Sequence, residues 1–240
     1  ERRLRNEAMA AFLRADFKVC LTLWTKQKKR PQGPMENLII ALCLVHQRED
    51  PSPLIPRFKS VYSTEATALQ AMHFTNIKKY DDAFVAYKKL LMDIQKDPWV
   101  EEHTLRSTLG YLFDFCMVSP KYAQEIFVLL GTPFPARIID HERVDCRIRL
   151  SLRMGVKETV EALAALEPVV PWTKSTLLAR YFAYNQANHP LKERATNELL
   201  EYLNSDKEQS FLDEYLKGPK KKPSLPKLKT IPLKSLTDDH

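Results

Sequence analysis

Glycine is scarce in this chain, with 5 residues in 240 against 16 prolines. Strand-rich folds draw on turn glycines, so the shortage points to helices separated by proline punctuation. Long apolar runs are also missing. The longest, Leu38 to Val45, is far shorter than the roughly 20 residues that cross a bilayer, and no signal peptide stands at the start. The first residue is not Met, so the chain is expected to be a piece of a longer protein. Reaction signatures are absent as well. There is no HExxH pair, no close cysteine pair, no phosphate-cradling run of glycines and no nucleophile elbow. Neighbouring acids such as Asp81–Asp82 and Glu101–Glu102 fall at helix starts, where the dipole and free N–H groups account for them. The six histidines are scattered and read as surface or turn residues, His73 among them. The sequence therefore assigns no catalytic residue, no metal ligand and no cofactor.

What is present suffices for a folded body. A chain of 240 residues that is 44% hydrophobic can bury a sizeable core. Cys20, Cys43, Cys116 and Cys146 sit inside apolar helical patterns at spacings that fit neither a close-set metal site nor a secreted disulfide framework. They read as buried thiols of a reducing compartment, with a disulfide between two of them as the rival. The net charge of +7 is unevenly placed: Lys217 to His240 holds seven lysines and two aspartates, a balance of +5, which leaves +2 on the residues before it. A nearly neutral body with a basic tail makes nucleic acid a secondary expectation.

Residues 64–98 supply the template. Ala68, Leu69, Ala71, Met72 and Phe74 lie at helical spacing, a turn follows at Lys78–Asp82, and Ala83, Tyr87, Leu90, Leu91 and Ile94 recur at intervals of three and four. With Ala71, Phe74, Tyr80, Ala83, Tyr87 and a closing Pro98, the stretch resembles a tetratricopeptide repeat, and Lys78 stands where that family usually has Gly. The resemblance implies a helical hairpin in which Ala83 permits close approach while Tyr80 and Tyr87 fill the space towards the next hairpin. Phe17, Cys20 and Trp24 occupy the same relative places as Tyr80, Ala83 and Tyr87, in a hairpin of 2–13 and 17–29 turned at Arg14-Ala15-Asp16. The cluster Lys26, Lys28, Lys29, Arg30 reads as a helix C-terminus, with a phosphate or acidic-partner patch as the alternative.

Further along, helices are expected at 35–48, 57–62, 99–118 and 120–130, with Gly131 as a C-terminal cap. Residues 137–153 can be drawn as a helix with Val144, Ile148 and Leu152 in line, or, from the alternation of Cys146 to Arg153, as a strand. Helix is preferred because no second strand exists to pair with it. Helices then follow at 156–166 (face Val160, Leu163, Leu166), 171–187, 191–203 and 208–216, the last laying Phe211, Leu212 and Tyr215 over an exposed end. Second helices begin near residues 17, 53, 81, 120, 156 and 190, close to the about 34-residue period of the family. The expected fold is all-α: a tetratricopeptide-like α-solenoid of about six hairpins over 1–216, followed by an extended tail at 217–240. A globular all-helical domain is the fallback.

The resemblance implies a groove lined by the first helices of successive hairpins, holding a peptide or partner helix. In that register Glu65, Met72, Thr75 and Asn76 point into it, and Arg106, Arg143 and Arg147 add positive charge, unless they pair with Glu102, Asp140 or Asp145 on their own helices. The tail carries Leu225, Leu228, Ile231, Leu233 and Leu236 between prolines and reads as a docking segment. The expected function is a non-catalytic protein-interaction scaffold or adaptor within a multi-protein complex, intracellular and cytoplasmic or nuclear. The alternatives are the regulatory or assembly domain of a larger enzyme, and a nucleic-acid-associated protein binding through its basic tail.

Overall fold

The computed structural model describes residues 2–27, 31–97, 99–167 and 169–205. Every regular element among them is helical, eleven α-helices and two short 3-10 turns, so the all-α expectation holds and 137–153 is helix. By its internal contacts the chain divides into two compact units, Glu1–Leu150 and Ser151–His240. Lys28, Lys29 and Arg30, Pro98, the 208–216 helix and the tail with Leu225, Leu228, Ile231, Leu233 and Leu236 lie outside the described residues.

In the first unit, α1 (Arg2–Leu13) packs on α2 (Phe17–Thr25), whose N-terminus is capped by Asp16 accepting the Val19 amide at 3.1 Å. Helix α3 (Pro34–His46) buries residues all round, including Leu38, Ile39, Leu42, Cys43 and Val45, because α2 and α4 flank it. The expected helix at 57–62 is a 3-10 turn at Ile55–Arg57 followed by irregular turns. Pro53 and Pro56 bring no N–H to a helical ladder there, and the turn instead plugs the core with buried Ile55 and Phe58.

The template hairpin is α4 (Ser63–Asn76) and α5 (Tyr80–Ile94), the most extensively packed pair in the chain. All five residues expected on the inner face of α5, Ala83, Tyr87, Leu90, Leu91 and Ile94, are buried. Tyr87 sits 5.2 Å from the ring of Phe115 in the next helix and shares a 3.2 Å hydrogen bond with Thr75 in the preceding one. Cys20 and Trp24 are buried as Ala83 and Tyr87 are, while Phe17 and Tyr80 are both half-buried, so the two hairpins share one packing pattern.

They also share a turn. Ala15 and Lys78, each two residues before the aromatic, take φ of 56° and 61°. Each is spanned by a bond from the following amide to the carbonyl five residues back: Asp16 to Ala11 at 2.9 Å and Lys79 to Phe74 at 2.9 Å. The same closure occurs over Arg48 (φ 60°, Glu49 to Leu44, 2.8 Å) and Asn188 (φ 50°, His189 to Tyr184, 2.8 Å). This is the Schellman arrangement, which satisfies the free carbonyls at a helix end at the cost of one left-handed residue.

Helix α6 (Glu102–Val118) starts three residues later than the sequence suggests, because Glu101 turns back to accept the amides of His103 and Thr104. A 3-10 turn at Pro120–Tyr122 leads into α7 (Ala123–Leu129). Gly131 does not cap α7 through a left-handed conformation, since no glycine among the described residues adopts one. It is required by space: a Cβ there would meet the Val128 carbonyl oxygen at 2.9 Å and Arg147 Nη2 at 3.3 Å.

Helix α8 (Arg137–Met154) crosses the division between the units. Its buried residues are Ile139, Arg143, Cys146, Arg147, Leu150 and Ser151, while Val144, Ile148 and Leu152 are only half-buried. The face was misread because two arginines, not aliphatic residues, fill the inner positions. The second unit continues with α9 (Val156–Ala164), α10 (Lys174–Gln186) and α11 (Lys192–Ser205). Thr159, Ala162 and Leu163 are buried on α9, where Val160 and Leu166 stay half-buried. Thr173 caps α10, which displaces its start from Pro171, and α10 packs on both neighbours.

All four cysteines are free and buried, so the disulfide alternative falls. No helix among the described residues is long and apolar enough to cross a membrane.

Candidate interaction surface

Helix α4 has neighbours on three sides. Towards α6, Met72 Sδ lies 3.4 Å from the Thr108 hydroxyl, which donates to the Thr104 carbonyl at 2.6 Å, and Glu65 accepts the Glu101 amide at 2.8 Å. Towards α5, Thr75 meets Tyr87. Towards α3, the Asn76 side-chain amide donates to the Val45 carbonyl at 2.8 Å. These are the residues assigned from sequence to an open groove, and each is instead a tie within the unit. Met72 is fully buried and Glu65 nearly so, with burial pushing the Glu65 carboxyl pKa above its ordinary value.

The three arginines do not line one surface either. Arg143, 3% exposed, donates to Asp140 and to the Leu130 carbonyl, and Arg147, 8% exposed, donates to the Phe127 carbonyl at 3.2 Å with its guanidinium 4.3 Å from the Phe127 ring centroid. Both therefore serve the C-terminus of α7, where carbonyls lack intrahelical partners and the dipole favours cations. Asp140, although partly desolvated, is held below the usual carboxylate range by Arg143 and the Phe134 amide. Arg106 alone keeps substantial exposure, bridging Glu102 and Glu142 at 2.9 Å each. The pairing of Arg106 and Arg143 with acids on their own helices, the rival reading, is what the geometry contains.

A further flank of α4 borders α5 at a groove. Thr67, Gln70 and Phe74, at spacings of three and four, face Asp82, Val85, Ala86 and Lys89 of α5 across a groove of about 280 Å³. Val85, one of its lining residues, is 66% exposed. Asp81, Phe84 and Lys88 lie on another side of α5, where they meet Lys121, Tyr122 and Glu125 at α7. The groove thus occupies the flank of the hairpin turned away from both α6 and α7. Sequence reasoning missed it because Thr67, Gln70 and Lys89 look like ordinary solvated positions.

In the second unit, Arg180 of α10 is fully buried, with both carboxylate oxygens of Glu167 at 3.1 Å and Glu198 of α11 as further partner, itself bound by Arg194 at 2.7 Å. The Tyr184 hydroxyl donates to the same Glu167 carboxylate. Every charge has an opposite partner, so the cluster fastens α10 to its neighbours. No group of three or more His, Cys, Asp or Glu side chains suited to a metal occurs among the described residues.

Compared with family models, curated proteins and solved structures, the chain matches none. The repeat resemblance and the function it implies rest on the residues themselves.

Proposed function

We propose that the chain is a non-catalytic helical-repeat scaffold that holds a protein partner, with its hairpins stacked as a tetratricopeptide-like solenoid. The observation that carries this reading is the repetition of one device: hairpins α1–α2 and α4–α5 use the same left-handed turn, the same aromatic two residues later and the same buried small residue, Cys20 or Ala83, three further on. A unit repeated in this way stacks its neighbours rather than enclosing a reaction centre, and its product is surface. The buried polar clusters support the same view, because Arg143, Arg147 and Arg180 are each spent on helix ends or neighbouring carboxylates.

The test is affinity capture with the full-length protein, followed by reconstitution of each recovered partner from purified components. A saturable, stoichiometric complex is expected. If no recovered protein re-forms one, the scaffold reading fails.

A further inference from the structure

We propose that residues 206–216 of this chain turn back onto the apolar end of the second unit, setting Phe211, Leu212, Tyr215 and Leu216 over Val169, Trp172 and Tyr202. This assigns the surface to the chain itself rather than to a partner, independently of the scaffold reading.

Leu177, Leu199 and Leu203 form a small core between α10 and α11, with Val170, Leu178, Tyr181 and Tyr202 packed against it. Beyond that core, the loop between α9 and α10 leaves Val169 82% exposed and Trp172 47% exposed. The Trp172 ring meets Tyr202 edge to face with centroids 6.4 Å apart, so this loop and the last turns of α11 present one apolar surface. An indole left half in water is a large apolar group still without a full set of neighbours.

The continuing chain supplies the occupant. The described residues end at Ser205, one turn past Tyr202, and the sequence runs on to residue 240. Asn204 to Ser210 carries no apolar side chain, and Phe211, Leu212, Tyr215 and Leu216 then stand at i, i+1, i+4 and i+5, the spacing of one helical face. Were α11 continued at about 100° per residue, these four would centre roughly half a turn away from Leu199 and Leu203, pointing off the core. A reversal within 204–210 brings them back, and seven residues reach up to about 25 Å, ample for the distance from the end of α11 to Trp172. A segment tethered so close to the surface meets it at an effective concentration of about the millimolar order, which disfavours an outside partner there.

The test is hydroxyl-radical footprinting of the full chain, read at Trp172 by mass spectrometry, with amide hydrogen exchange of residues 206–216 measured alongside. The paired variant Phe211→Asp/Tyr215→Asp lies beyond α11, and Leu228→Asp/Ile231→Asp, further along the same tail, serves as the comparison. Labelling of Trp172 should rise several-fold in the first variant and stay at the wild-type level in the second. Trp172→Ser should in turn release the protection of amides 211–216 while the amides of α9 keep theirs, which shows that the unit remains folded.

The proposal is overturned if Trp172 is labelled equally in the wild type and in Phe211→Asp/Tyr215→Asp, if both paired variants unmask it equally, or if amides 211–216 exchange freely in the wild-type protein. It is also overturned if the protection of Trp172 fades on dilution while sedimentation shows a dimer, which would assign the surface to a second copy. None of these readouts involves a partner, so failure of partner capture leaves this docking standing, and failure of the docking leaves the scaffold reading standing.

Discussion

The amide of Lys79 donates to the carbonyl of Phe74 at 2.9 Å, closing the turn in which Lys78 is held at φ 61°. A left-handed residue with a Cβ costs about 1–2 kcal/mol relative to its right-handed form, and Gly escapes most of that cost. Lys78→Gly and Ala15→Gly should each raise stability by about 0.5–1 kcal/mol after the entropy of Gly in the unfolded chain is subtracted. Asn188→Gly should gain less, because Asn tolerates this conformation. Urea denaturation of the three variants checks the order, and a loss of stability in Lys78→Gly would contradict the turn.

His46 stacks on Phe17 with ring centroids 3.8 Å apart, and its Nε2 is buried without a hydrogen-bond partner. Burial lowers its pKa from 6.5 to about 4. The folded state then binds this proton less readily than the unfolded chain, so the contribution is complete above pH 6.5 and is lost as pH falls towards 4. The full shift corresponds to at most ~3 kcal/mol. The ring is half-buried, and about 1–2 kcal/mol is expected after allowing for solvent screening. His46→Phe, which keeps the stack, should flatten the decline in stability between these pH values.

Arg147 crosses Gly131 so closely that a methyl group there would crowd it. Gly131→Ala should destabilise the first unit by about 1–3 kcal/mol through backbone displacement, a clash that a flexible neighbour cannot relieve because the Val128 carbonyl is also in the way. Arg147→Met should cost about 2 kcal/mol by stranding the Phe127 carbonyl. Thermal denaturation reads both, and full stability in either variant would remove the arginine from its role at the end of α7.

Much of this architecture was legible in the residues. Ala83, Tyr87, Leu90, Leu91 and Ile94 were identifiable by period alone, since an amphipathic helix with one buried face displays that face directly. The Phe17 copy was legible for the same reason. Arg143, Arg147 and Arg180 were not, because an arginine is buried only when carbonyls or carboxylates from other elements meet it, and those partners are set by tertiary packing. The replacement of a helix by the Ile55–Arg57 turn followed a visible proline signal, but the groove between α4 and α5 lies on residues Thr67, Gln70 and Lys89 that carry no signal of their own.

Removing Arg180 should be the most damaging change in the second unit. Arg180→Met leaves Glu167 and Glu198 without their shared cation, at a cost of about 3–5 kcal/mol. Burial raises the Glu198 pKa, but its hydrogen bonds with Arg180 and Arg194 outweigh that and hold it below 4.5. Its stabilising contribution is therefore present above pH 4.5 and lost as the pH falls below that value through the lowered pKa. Arg180→Met should weaken this acid dependence, and an unchanged acid unfolding curve would contradict the pairing.

The scaffold reading is tested most directly by titrating a reconstituted partner, by calorimetry, into the wild-type protein and into Arg106→Glu and Val128→Glu. The account predicts a saturable stoichiometric complex with the wild-type protein. Arg106→Glu reports whether the half-exposed bridge to Glu142 takes part, and Val128→Glu should behave as wild type. Failure of every recovered partner to form a saturable complex with the wild-type protein would contradict the account.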